Sequence, residues 1–364
     1  MNIVLAGGGT AGHTSPLIAT AQQLTRLAPD SSLLCVGTPR GLETRVIPEA
    51  GLELALIPPV PLPRRPTVDL LKVPGRLWGA VRRSGELLRQ HRAEVVVGFG
   101  GYVSLPVYLA ARRARLPIVL HEQNAVPGLA NRIAARFAAH VAVSFPDTAL
   151  PRAEYLGLPV REAIAGLDRA AAAPAARAAY DLPAGLPVLL VSGGSQGARS
   201  INTALAGAVD ELLAAGVSVL HVLGQANFTD DLVARTHAGT GAAYRPLAYV
   251  DRMEQAYAAA DLMLGRSGAG TVMETAMVGL PTVFVPLPHG NGEQARNAGF
   301  LVEAGAGVLV PDADLSPGLL AATVLGLAHD PDRLAAMSRR CRELVPSGAA
   351  EALARIVLGA GKEG

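Results

Sequence analysis

The sequence predicts an α/β protein built as two Rossmann-like halves around a cleft. Three observations predict it. Short apolar runs alternate with alanine-rich stretches along the chain, the pattern of βαβ units on a parallel sheet. A strand, a glycine-rich loop and a helix open the chain at Asn2–His13, and the same succession recurs at Val188–Arg199. Finally, 364 residues exceed one ordinary core but suit two domains of about 150–200 residues each.

In the first half, strands are expected at Asn2–Ala6, Leu33–Val36, Leu54–Ile57, Val95–Gly98, Ile118–His121 and His140–Val143. The pattern restarts at Val188–Val191 and continues through Val217–His221, Leu262–Leu264, Thr282–Val285 and Gly307–Val310. Between the two sets, residues 159–187 are rich in alanine and proline and hold no strand pattern. The expected domains are therefore 1–160 and 161–346. About residues 347–360, at and beyond the linker-like Pro346-Ser-Gly348, a terminal helix is expected to pack back on the first domain.

Composition removes several classes of function. Half of the residues are apolar and 17% are charged, which is globular rather than disordered. A net charge of +2 leaves no global excess to neutralise a phosphate backbone, against a general nucleic-acid binder. Cys35 and Cys341 offer neither a disulfide framework nor metal-type spacing. The first residues, Met-Asn-Ile-Val-Leu-Ala, lack the charged start and cleavage signal of a secretory leader, and no run of about 20 apolar residues is uninterrupted. The expected compartment is the cytoplasm, and no metal or other cofactor is expected.

Five motifs carry chemistry. Gly7, Gly8, Gly9 and Gly12 let the backbone turn after the first strand and approach a ligand at the positive end of the next helix. Gly7, Gly9 and Gly12 formally meet the dinucleotide fingerprint. Yet the second strand ends Cys35-Val-Gly37 with no acidic residue at its tip to take a ribose hydroxyl, and His13 and Pro16 follow the last glycine. Ser192-Gly-Gly-Ser-Gln-Gly-Ala-Arg199 repeats the loop with hydroxyls added, so Ser195 can donate to a phosphate oxygen beside an amide nest. Read purely structurally, both loops are tight turns, with Ser195 as a helix cap.

Gly265-Arg-Ser-Gly-Ala-Gly-Thr-Val-Met-Glu274 places Glu274 in the first turns of a helix, where a carboxylate can accept from both ribose hydroxyls or simply favour the helix dipole. His121-Glu-Gln-Asn124 stands at the carboxyl end of a strand, where open sheets place ligands, and Asn124 offers both a donor and an acceptor. Glu293, Gln294 and Asn297 form a further polar stretch, expected to be exposed, after the Phe284-Val-Pro286 strand end.

Together with Gly98-Phe-Gly-Gly-Tyr-Val-Ser104, these motifs resemble the MurG family of bacterial peptidoglycan N-acetylglucosaminyltransferases over essentially the whole chain. The resemblance implies the glycosyltransferase B fold and transfer of N-acetylglucosamine from UDP-N-acetylglucosamine, with inversion, to undecaprenyl-pyrophosphoryl-N-acetylmuramyl-pentapeptide (lipid I), giving lipid II. It implies that Thr10, Ala11 and Gly12 line the donor cleft, that Asn124 and Gln294 touch the aminosugar, and that Ser195 meets the diphosphate. Arg161 and the backbone at Val250 would lie near the nucleotide. Glu274 would hold the ribose, with Ala269, Gly270, Thr271, Val272 and Met273 completing that loop. His13 becomes the candidate base for the acceptor hydroxyl. Three departures stand out: Ala11 replaces a glycine frequent in the family, Leu158 replaces the asparagine of its Asn-Pro-Val-Arg motif, and His289–Asn297 is glycine-rich compared with relatives.

A lipid-linked acceptor also implies work at the cytoplasmic face of the membrane. Between Arg64 and Arg92 eight basic residues stand against Asp69 and Glu86, a local charge of +6. Leu70, Val73, Leu77, Val81 and Leu88 recur at helical spacing as an expected core face. Leu71, Lys72, Arg76 and Trp78 lie beside it as the patch that would dock peripherally on the anionic inner leaflet, although a solvated helix reads equally well from pattern alone. Three rival functions remain from sequence: a same-fold transferase to another acceptor, a UDP-sugar 2-epimerase, for which acidic residues are few, and a nucleotide-sugar sensor without catalysis.

Overall fold

The computed structural model describes residues 1–60, 72–194, 196–229, 231–289 and 291–363. They fall into two compact units, Met1–Arg161 with Gly348–Gly364, and Glu162–Ser347. The division thus follows Arg161 rather than preceding it.

The first unit contains β1 (Asn2–Ala6), α1 (Ala11–Leu27), β2 (Ser32–Gly37), α2 (Glu43–Glu49), β3 (Glu53–Leu56), α3 (Val73–Gln90), β4 (Val95–Gly98), α4 (Ser104–Arg113), β5 (Ile118–Glu122), α5 (Leu129–Ala134), β6 (His140–Val143) and β7 (Ala153–Tyr155). Its sheet runs β3-β2-β1-β4-β5-β6-β7, all parallel. Strands covered on both faces must be apolar throughout. Ile3, Val4 and Leu5 are accordingly fully buried, with Leu5 paired to Cys35 on one side and Val97 on the other. Strand order reverses at β1, so the loops after β1 and β4 open where such sheets hold ligands.

The second unit comprises α6 (Glu162–Ala165), α7 (Arg169–Ala179), β8 (Val188–Ser192), α8 (Arg199–Ala214), β9 (Ser218–Val222), β10 (Arg235–Thr236), β11 (Ala243–Leu247), α9 (Met253–Ala259), β12 (Leu262–Gly265), α10 (Ala269–Met277), β13 (Thr282–Phe284), α11 (Glu293–Glu303), β14 (Gly307–Leu309), α12 (Pro317–Ala328) and α13 (Pro331–Leu344). The sheet order is β10-β11-β9-β8-β12-β13-β14, with only β10 antiparallel to its neighbour. The strandless, alanine-rich stretch folds as α6 and α7. It is fastened by Arg169, which donates to the carbonyls of Tyr257, Gly279 and Ala260, and by Arg177, which pairs with Asp261 at 2.7 Å.

The terminal helix α14 (Ala349–Glu363) lies in the first unit, where Leu353, Ala354 and Val357 are fully buried among Ile3, Leu5, Leu17 and Leu24. By length and hydropathy, Pro331–Lys362 would pass for a membrane span. It is instead two helices, α13 and α14, which belong to different units, and the apolar face of α14 is consumed by a core.

The sequence pattern missed β7, β10 and β11. β7 and β10 are edge strands of three and two residues, and β11 carries Arg245 and Pro246, so none shows an apolar run. On α3 the expected core stripe is also displaced. Ala80, Ser84, Leu87 and Leu88 are the buried side chains, Val73, Leu77 and Val81 are only half-buried, and Leu70 and Leu71 lie outside the described residues.

Because α14 completes the first core, Leu353→Ala should cost about 2–5 kcal/mol by leaving a cavity, read as a lowered urea midpoint of a transition that includes the first unit. A second expectation concerns pH. His121 and His221 are buried and pulled by desolvation from 6.5 to about 4. The unfolded chain therefore binds protons that the folded chain refuses, and stability should fall as pH drops from about 6.5 towards 4. Each histidine contributes at most ~1.4 kcal/mol per pH unit to that slope. Urea midpoints across this range should decline less steeply in His221→Gln, since every other titrating group is common to both proteins. An unchanged slope would contradict the assignment.

Candidate active site

In the first unit, the chain leaves β1 at Ala6 and turns through Gly7-Gly8-Gly9 into α1. Gly9 adopts φ +90°, which an L side chain rarely takes. Thr10 is the N-cap by backbone, but its hydroxyl makes no capping bond; it meets His13 Nδ1 at 3.0 Å instead. That contact leaves Nε2 as the nitrogen without a described bond. His13 is half-buried, and desolvation lowers its pKa to about 4 while the Glu43 carboxylate pulls it back up. The ring is thus neutral near pH 7, as a proton acceptor must be. Thr10 and Gly12 are exposed and Ala11 is half-buried, so the start of α1 is accessible.

Gly98-Phe-Gly-Gly-Tyr102 lies against this loop. Phe99 N–H donates to Ala6 O at 2.8 Å, and Ser104 Oγ donates to the same carbonyl at 2.9 Å. A side chain at Gly101 would strike the Gly8 carbonyl.

The His121–Asn124 run, expected at a ligand-holding strand end, divides its labour. His121, Glu122 and Gln123 are buried. His121 Nε2 is 2.9 Å from Gly157 O, and Gln123 Nε2 donates to His121 O. Glu122 accepts from the amides of Asn124 and Gly128, both at 3.0 Å, and from Asn131 Nδ2 at 2.9 Å. Burial raises the Glu122 pKa, with these bonds opposing. Of the four, only Asn124 is half-buried, on the loop so fixed.

In the second unit, Gly193, Gly194 and Gly197 carry the chain from β8 to α8. Ala198 is the N-cap and supplies no side-chain acceptor to the first amides of α8. Such amides are an anion site. Ser195 lies outside the described residues.

Glu274 sits in the second turn of α10, half-buried, accepting from Tyr257 OH at 2.8 Å. Ala269, Val272 and Met273 are buried and Gly270 and Thr271 half-buried on the same helix, so this segment offers backbone and Glu274 rather than a row of side chains. Arg266, preceding α10, donates to Val285 O, Pro286 O, Asp312 and Ser200 Oγ. Ser200 also donates to Asp312 Oδ1 at 2.6 Å. This network couples the start of α8 to the ends of β12, β13 and β14, and no motif announced it.

Gln294 opens α11 half-buried, and its Oε1 accepts from Leu287 N–H at 3.0 Å, leaving its amide donors. Asn297, expected to be exposed, is fully buried and donates to Ser267 O at 3.3 Å. It braces the loop before α10. Val250 is buried after β11, and Arg161 is exposed at the end of the first unit. Thr10, Ala11, Gly12, His13, Asn124 and Arg161 therefore belong to one unit, whereas Val250, 269–274 and Gln294 belong to the other. Among the described residues, no three His, Cys, Asp or Glu side chains are grouped as a metal site.

Residues 3–143 match the N-terminal domain of glycosyltransferase family 28, and residues 188–353 match its C-terminal domain. A Cutibacterium acnes protein named UDP-N-acetylglucosamine--N-acetylmuramyl-(pentapeptide) pyrophosphoryl-undecaprenol N-acetylglucosamine transferase is 59% identical, covering 99% of this chain and 97% of its own. One of the same name from Nocardioides sp. is 58% identical over 98% of each. Among solved structures, MurG of Acinetobacter baumannii superimposes with a TM-score of 0.79 at 27% identity, covering 98% of this chain and 99% of its own. Two parallel-sheet units carrying these loops, matched end to end by such relatives, place the chain in glycosyltransferase family 28 and, within it, in the MurG family.

Proposed function

We propose that the chain transfers N-acetylglucosamine from UDP-N-acetylglucosamine to lipid I, forming lipid II with inversion at the anomeric carbon. The observation that carries this reading is near full-length identity above 50% to transferases named for that reaction. The described loops supply matching parts. Glu274 holds the ribose through its carboxylate, braced from behind by Tyr257. The first amides of α8, with Ser195 donating, receive the diphosphate and stabilise UDP as it leaves. Gln294 and Asn124 contact the aminosugar, Arg161 and the backbone at Val250 border the nucleotide, and Thr10 to Gly12 line the approach to His13. His13 takes the proton of the acceptor hydroxyl on Nε2 as that oxygen attacks the anomeric carbon. The transfer proceeds without a resident cofactor.

UDP release should appear when UDP-N-acetylglucosamine and a lipid I analogue are supplied together, and should be far slower with another UDP-sugar. Binding without release would mark a sensor, and release with free sugar acceptors would mark another transferase. His13→Ala should lower kcat by about 10²–10³-fold while the donor Kd changes less than about twofold. Wild-type turnover in that variant would remove His13 from the chemistry.

For a lipid-linked acceptor, we infer peripheral attachment to the anionic cytoplasmic leaflet through the start of α3, where Lys72 and Arg76 precede Trp78 in the sequence. Trp78 is 63% exposed, and the Arg113 guanidinium lies 5.9 Å from its ring centre. Beside it, Pro74, Leu77, Val81 and Leu109 line an apolar groove of about 530 Å³ rimmed by Arg112 and Arg113. Apolar side chains ringed by guanidinium groups suit the interface between headgroups and acyl chains. Flotation with vesicles containing anionic lipid should retain the wild type and lose most of a Leu71→Ala/Trp78→Ala variant. Equal retention would overturn this attachment.

A further inference from the structure

Glu43, the first residue of α2, is fully buried although nothing in the motifs pointed to it. Its Oε2 accepts from Gly9 N–H at 2.7 Å. Its Oε1 accepts from the amide and the hydroxyl of Thr38, each at 2.9 Å. The side chain fills the space over Gly8, Gly37 and Gly41, at each of which a Cβ would collide with it. In a phosphate-binding glycine loop, amides such as that of Gly9 are turned to the anionic ligand. Here the Gly9 amide is turned to the protein's own carboxylate. Burial pushes the Glu43 carboxyl up, but the bonds from Gly9 and Thr38 outweigh it and hold the group below the usual carboxylate range.

We propose that Glu43 is a positioning residue for the transfer: it is the resident anion of the first glycine loop, fixing the backbone that carries Thr10 and His13 and denying that loop to nucleotide phosphate. This rests on the functional reading above. The formal dinucleotide fingerprint at Gly7–Gly12 is thereby explained as a turn whose anion site is already filled. The charge has a second effect, because its field opposes desolvation at the His13 imidazole and favours the protonated ring formed during transfer.

Glu43→Gln keeps the shape but sets an amide where Gly9 N–H and Thr38 N–H both require an acceptor. It should lower kcat by about 10²-fold, as expected for loss of geometry around a reacting group, with KM for UDP-N-acetylglucosamine within about twofold. The acidic limb of its kcat/KM profile should move to lower pH. Glu43→Ala leaves a carboxylate-sized space, and added formate should restore part of its kcat and raise its Tm. A merely structural residue would lower Tm without a formate-dependent kcat. Wild-type kcat in Glu43→Gln, or a Glu43→Ala deficit that formate leaves untouched, would overturn the proposal. Should Glu43→Ala not fold, Thr38→Val removes one bond and keeps the charge, and its kcat should fall, though by less than in Glu43→Gln; an unchanged kcat would count against the proposal. If the wild type itself released no UDP, the functional reading would fail separately, and the presence or absence of a formate-dependent Tm would still decide where the carboxylate sits.

Discussion

The structure depends on one recurring interaction, a carboxylate withdrawn from water and held by hydrogen-bond donors at the carboxyl ends of parallel strands. Parallel sheets bury both faces, so the ligand loops must be shaped where strands stop. A loop there has few apolar contacts to define it. Glu43 ties the loop after β1 to the turn after β2. Glu122 ties the end of β5 to the loop that begins α5. Asp312, held by Arg266 and Ser200, ties the ends of β12 and β14 to the start of α8. A buried carboxylate is costly unless its oxygens are satisfied, and once satisfied it leaves the loop little freedom.

The same interaction separates the two glycine loops. They look alike as sequence, strand followed by glycines followed by helix, and each could serve a phosphate. In the first unit, Gly9 N–H is spent on Glu43 and His13 stands in the first turn of the helix. In the second, the N-cap residue of α8, Ala198, supplies no side-chain cap, and the neighbouring acidic side chain, Asp312, pairs with Arg266 and accepts from Ser200. In the proposed transfer the first loop serves the proton acceptor and the second receives the anion. The difference lies in what long-range partner reaches each loop, not in the loops themselves.

This also explains how much was legible beforehand. Central strands such as Asn2–Ala6 and Val188–Ser192 were readable because burial on both faces forces continuous apolar runs, and the glycine turns were readable because positive φ and close approach exclude other residues. The edge strands β7 and β10 were not, since they bury one face or none, and β11 was not because Arg245 and Pro246 interrupt its apolar run. The polar run His121–Asn124 stands where open sheets place ligands, but periodicity does not tell whether a polar side chain at a strand end turns outward or back into the protein. Three of the four turn back. Asn297 was misplaced for the same reason, and α3 kept its period while its buried face rotated towards Ala80 and Ser84.

Glu43 shows the limit most clearly. Its partners Gly8 and Gly9 are more than thirty residues away, and the local text, Gly41-Leu-Glu-Thr-Arg45, reads as an ordinary helix start with a dipole-favoured acid. The available signal was indirect: Gly8, Gly37 and Gly41 each lack a side chain where the Glu43 side chain needs room. Three glycines from two loops converging on one acid is a statement about volume, and volume is not written in any single segment. Motifs record which residues a ligand demands. What a loop demands of its own protein is recorded only in the space that other residues leave empty.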